Sequence, residues 1–121
     1  MIFSKVILYS LDVACLSTFI QEIFDTEIEA FENSILLKCE QVNFEVKEIL
    51  VKGKKDAFRH GQALEFTLEN QKSLSEIKQK IEFFCYRQKL EIENLIISSE
   101  PNFLLIQDPD GRNWRFSVKS K

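Results

Sequence analysis

One order of secondary-structure signals (strand, helix, strand, strand, strand) runs twice through the 121 residues, and this doubling constrains the fold more than any single motif. In the first half, the β-branched and aromatic stretch at 3–9 reads as a strand, and Asp12 stands where a helix N-cap belongs. Val13, Leu16, Phe19, Ile20, Ile23 and Phe24 then recur at helical spacing, giving a helix to about Asp25 with one broad apolar face. Strand-like segments follow at 27–31, 35–39 and 42–51, the first two separated by the turn-favouring Glu32, Asn33 and Ser34.

The stretch 52–61 is polar, carries two Gly and shows no periodicity, so it reads as an internal linker. Beyond it the order repeats. Residues 63–68 alternate as a strand, and Ser73 with Glu76 forms a capping box before a helix whose Leu74, Ile77, Ile81, Phe84 and Cys85 share a face. Strand-like runs come next at 91–97, 102–107 and 113–118. Neither half can bury both faces of a four-stranded sheet alone, so the halves are expected to pair, within the chain or between chains. The expectation is one α+β domain over 1–121, with module one at 1–51, the linker at 52–61 and module two at 62–121.

Charge and cysteine usage exclude several functions. A net charge of −3 with the signs interspersed provides no sustained basic field for a phosphate backbone, so no nucleic-acid partner is expected. The basic cluster Lys52, Lys54, Lys55 and Arg59 lies in the linker, where such groups are ordinarily solvated. Cys15, Cys39 and Cys85 are widely spaced and include no C-x-x-C pair, which argues against a disulfide framework or zinc site and for reduced thiols in the cytoplasm. Cys15 and Cys85 fall in helices and read as small buried hydrophobes. The eleven Phe point to a Phe-rich core. No apolar stretch approaches the ~20 residues of a membrane span, and no export signal opens the chain, so a soluble protein without a membrane partner is expected.

Near the C-terminus the run IQDPDGRNWRF places Asp108-Pro109-Asp110-Gly111 between two strands. Pro109 presets φ, the Asp side chains reach the turn backbone and Gly111 takes positive φ, so turn chemistry accounts for each residue. Combined with the doubled βαβββ order and the opening KVILYSLDV, this turn before the last strand resembles the vicinal-oxygen-chelate superfamily. That superfamily includes glyoxalase I, extradiol dioxygenases, methylmalonyl-CoA epimerase and the bleomycin- and fosfomycin-resistance proteins. The resemblance covers nearly the whole chain. It implies two βαβββ modules forming a curved, cup-like mixed sheet with helices on the convex side, and a homodimer, because the family completes its cups by pairing modules, often across two chains.

The resemblance also implies four ligand positions, commonly His, Glu, His and Glu, on the first and last strands of each module. Counting from the quoted motifs places them on Lys5, Glu45, Ala63 and Arg115. Only Glu45 can ligate a metal, because an ammonium or guanidinium at ligand distance repels a cation. No metal, cofactor or catalytic residue is therefore expected at the family's position. His60, the one histidine, reads either as a displaced ligand or base, or as an exposed linker residue without a positioned partner.

Strand parity gives a separate test, since residues two apart share a sheet face. One side collects Val6, Leu8, Phe44, Val46, Leu64, Phe66, Leu68, Trp114, Phe116 and Val118, an apolar set suited to packing under the helices. The other carries Lys5, Tyr9, Glu45, Glu65 and Arg115. On this reading Lys5 and Arg115 pair with Glu45 and Glu65, or with an anionic ligand, and Tyr9 adds a hydroxyl or a stacking face. The expected function is metal-independent small-molecule binding in a polar cup. The alternatives are a divergent metal-dependent lyase, isomerase or dioxygenase using Glu45 with His60 or Glu65, and a non-binding structural or interaction module closed by ion pairs.

Overall fold

Asp12 starts the first helix as its position suggests: its carboxylate accepts from the Cys15 amide at 3.1 Å, satisfying one of the donors that a helix N-terminus leaves open. In the computed structural model, which describes residues 5–24, 26–39, 42–49 and 63–119, the chain divides into two compact units, Met1–Lys55 and Asp56–Lys121. The linker at 52–61, with its basic cluster and His60, lies outside the described residues.

Unit one contains β1 (Lys5–Ser10), α1 (Val13–Ile23), β2 (Glu27–Ala30), β3 (Ser34–Lys38) and β4 (Asn43–Glu48). Its sheet has the order β1-β4-β3-β2, with β1 and β4 parallel and the other pairs antiparallel. α1 packs against β1, β3 and β4, and its apolar stripe buries Leu16, Phe19, Ile20 and Ile23 against Leu8, Leu37, Phe44 and Val46. Each such side chain taken fully out of water contributes on the order of 2 kcal/mol.

Unit two repeats the plan with β5 (Ala63–Leu68), α2 (Gln71–Gln88), a one-turn helix α3 (Ile92–Leu95), β6 (Ile96–Glu100), β7 (Phe103–Gln107) and β8 (Asn113–Val118). The sheet order is β5-β8-β7-β6, with β5 and β8 parallel. α2 lays Leu74, Ile77, Ile81, Phe84 and Cys85 over β5, β7 and β8, where Leu104, Ile106, Trp114 and Phe116 are buried. Phe66 stacks on Trp114 and Phe116 with ring centroids 5.7 and 5.3 Å apart.

Two expectations need correction. The N-cap of α2 is Asn70, not Ser73. Asn70 Oδ1 accepts from the Ser73 amide at 2.9 Å, so the helix begins a turn earlier and Ser73 lies within it. The run 91–97 is also not one strand. Strict alternation there leaves no clean apolar face, whereas one helical turn puts Leu95 into the core and β6 starts at Ile96. The abundance of Phe does show in the core. Phe19, Phe44, Phe84 and Phe116 are fully buried, but Phe31 and Phe83 are exposed.

Candidate functional site

The alternation of burial places the candidate residues. In unit one, Leu8, Phe44 and Val46 face α1, and Lys5, Ile7 and Tyr9 lie on the exposed side of β1. The parallel register sets Ile7 beside Glu45 and Lys5 beside Asn43, so Lys5 and Glu45 are diagonal neighbours on one face. Lys5 Nζ reaches Glu45 Oε1 at 3.0 Å, and Ser34 Oγ donates to Glu45 Oε2 at 3.1 Å. The hydrogen bond from Lys5, aided by that from Ser34 and by the Lys47 charge, holds the Glu45 carboxyl below the usual carboxylate range despite its partial burial. A second ion pair, Lys38 with Glu29 at 3.3 Å, lies on the same face. Tyr9 is half exposed and stands beside Lys47.

In unit two, Ala63, Glu65 and Thr67 occupy the exposed face of β5, and Arg115 is the matching exposed residue of β8. Glu65 and Arg115 are direct partners in the parallel register. No ion pair joins them among the described residues. The Arg115 guanidinium lies instead over the Phe103 ring of β7, 4.6 Å from its centroid. The structure thus joins Lys5 with Glu45 and sets Glu65 beside Arg115 without pairing them.

Behind Arg115 lies a constellation that turn chemistry alone did not reveal. Asp108 and Arg112 are buried at 4% and 1% exposure. Asp108 Oδ1 accepts from the Asp110 and Arg112 amides at 2.9 and 3.0 Å, and Oδ2 from Arg112 Nη1 at 2.7 Å and Trp114 Nε1 at 2.8 Å. Gly111 takes φ 90° and donates to the Asp108 carbonyl, closing the turn. Burial pushes the Asp108 carboxyl up, while the Arg112 guanidinium and the Trp114 indole pull against it. Parity contained the signal: Arg112 is two residues before Trp114 and so belongs to the buried side, where a guanidinium needs a carboxylate and an indole N–H needs an acceptor.

The other groups singled out in the sequence are less engaged. Cys85 is buried and Cys15 and Cys39 are half-buried, and none of the three is in a disulfide. Burial pushes the Cys39 thiol up to about 11 and also raises Cys85, the opposite of what a reactive thiolate requires. A cleft of about 330 Å³ opens between α2 and the β6–β7 hairpin, lined by Ser75, Lys78, Ser99 and Glu100 among others. A wider one lies at the start of α2, and a third follows the β2–β3 turn. None of these three is lined by Lys5, Tyr9, Glu45, Glu65 or Arg115. No helix among the described residues is long and apolar enough to cross a membrane.

Two βαβββ units, each a four-stranded mixed sheet with its long helix on one face, define the vicinal-oxygen-chelate or glyoxalase fold, and this chain has it. The fosfomycin resistance protein FosX from Listeria monocytogenes is similar over 100% of this chain and 93% of its own, with a TM-score of 0.73 and 13% identity. A mutant of that protein complexed with Mn(II) and 1S,2S-dihydroxypropylphosphonic acid gives a TM-score of 0.67 and 14% identity over 98% and 92%. Lactoylglutathione lyase from Agrobacterium tumefaciens gives 0.62 and 16% over 97% and 92%. No protein-family model matches the sequence. No curated protein matches it either.

The fold raises the question of a divalent metal, and the described residues do not fit one. Of the four positions the family resemblance assigns, Lys5 and Arg115 are cations, Ala63 has no donor, and the Glu45 carboxylate is already held by an ammonium. Among the described residues no three His, Cys, Asp or Glu side chains gather as such a site requires.

Proposed function

We propose that this protein binds a small anionic molecule without a metal, using the exposed sheet faces that carry Lys5, Tyr9 and Glu45 in unit one and Glu65 and Arg115 in unit two. The observation behind this reading is the chemistry at the resemblance-assigned positions, where Lys5 stands in place of a ligating imidazole and Arg115 in place of a ligating carboxylate. Among the described residues, Arg115 is engaged only with an aromatic ring. A guanidinium offers paired N–H donors to a carboxylate or phosphonate, and an ammonium offers a point charge, so fixed cations supply an anion with the attraction a metal gives elsewhere. That a Listeria protein of this fold is seen with a phosphonic acid makes phosphonates a reasonable first probe. The role is sequestration, similar in principle to that of the bleomycin-resistance proteins.

The ligand-bound form is a homodimer, in keeping with the module pairing that the resemblance implies, and it works in the reducing cytoplasm, where Cys15, Cys39 and Cys85 stay out of disulfides. A monomeric mass at micromolar concentration removes the dimer from this account. The binding test is titration with methylphosphonate followed by two-dimensional NMR. Shifts are expected on β1 and β8, and the affinity falls on Lys5→Ala and on Arg115→Ala. Unchanged affinity in both variants contradicts the proposal.

A further inference from the structure

We infer that the exposed face of β5, β7 and β8 is a receptor for a small zwitterion, with Arg115 holding the ligand's anion and Glu65 its ammonium. This rests on the binding role above and names its ligand class.

Glu65 and Arg115 are direct register partners on adjacent parallel strands, so their side chains leave the same face about one strand spacing (~4.8 Å) apart. Opposite charges at that separation ordinarily close on each other, as even the diagonal neighbours Lys5 and Glu45 do in unit one at 3.0 Å. Here they do not. Arg115 turns the other way, toward β7, and lies over Phe103 with 4.6 Å from guanidinium carbon to ring centroid. Glu65 is exposed and makes no hydrogen bond or ion pair among the described residues.

Phe103 therefore acts as a positioning residue. The ring holds the guanidinium by its charge and takes none of its N–H donors, and these can bind a carboxylate or phosphonate by two parallel hydrogen bonds. The buried Asp108–Arg112–Trp114 constellation fixes the start of β8, so the Arg115 backbone is held from both sides. The result is a positive and a negative group on one sheet face, kept apart by an aromatic anchor. A molecule carrying both charges a few bonds apart satisfies both, whereas a simple anion brings its own charge toward the unpaired Glu65 and meets repulsion.

The test uses matched probes on the full chain, followed by NMR: glycine against acetate, and β-alanine against propionate. Each zwitterion is expected to bind about tenfold more tightly than its partner lacking the ammonium, the scale of one charge-assisted hydrogen bond. Glu65→Gln erases that preference, and Phe103→Leu weakens both members of each pair while the remaining spectrum stays folded. Equal affinities within the pairs, or a preference that survives Glu65→Gln, overturn the zwitterion assignment while leaving anion binding intact. Failure of all four probes and of methylphosphonate to shift β8 removes both this assignment and the binding role beneath it.

Discussion

At Asp108 one carboxylate accepts from two backbone amides, a guanidinium and an indole inside the protein. Asp108→Asn keeps the shape but removes the charge opposite a guanidinium that is 1% exposed, so the cost is expected to be ~3–5 kcal/mol in urea unfolding. A loss below ~1 kcal/mol would mean that Arg112 is held by something else. Glu45 makes the opposite case, on a wet face. Its carboxyl sits below the ordinary value because Lys5 donates to it, so the pair's contribution is fully present above the unfolded-state value and fades as pH falls through the lowered folded one. In Lys5→Met the NMR titration midpoint of Glu45 should move up toward the normal carboxylate range. A midpoint that stays put shows that Ser34 carries the effect. At this scale the sequence was readable where a residue answers to the backbone, as at Asp12 and Gly111. It was not readable where a side chain chooses among neighbours. Nothing in the order of residues says that Arg115 prefers Phe103, on one neighbouring strand, to Glu65, on the other.

The ends of α2 show how competing local signals resolve. Ser73 with Glu76 is an acceptable start, but Asn70 is equally good as a cap and begins the helix one turn sooner, with Leu74 then buried inside it. At the other end Lys89 takes φ 57° and ψ 43°, the left-handed conformation that a Cβ disfavours, while the Leu90 amide bonds back to the Cys85 carbonyl. Lys89→Gly should therefore stabilise the protein by about 1 kcal/mol in thermal or urea unfolding. A destabilised variant would show that the Lys89 side chain contributes more than its backbone costs. α3 marks the limit of period-based reading: a run of four apolar residues in seven suits either a strand or a turn, and burial of Leu95 decides it.

For the molecule as a whole, the doubled order of elements carried the fold, because a four-stranded sheet with one helix can bury only one of its faces and the pattern occurs twice. The faces were equally legible from parity: Leu8, Phe44, Val46, Trp114 and Phe116 are buried, and Lys5, Glu65 and Arg115 point away from the core. The ligand was not legible, since alternating charge on a sheet face is common to binding sites and to solvated surfaces. The linker and His60 bear on the metal-using alternative and lie outside the described residues.

The most direct test of metal-independent anion binding is a methylphosphonate titration of metal-stripped protein in excess EDTA, repeated with Mn(II) in place of the chelator. The account predicts the same affinity in both, reduced by Arg115→Ala. Binding that appears only with Mn(II) and disappears in Glu45→Ala would contradict it and put a metal back at the centre of the site.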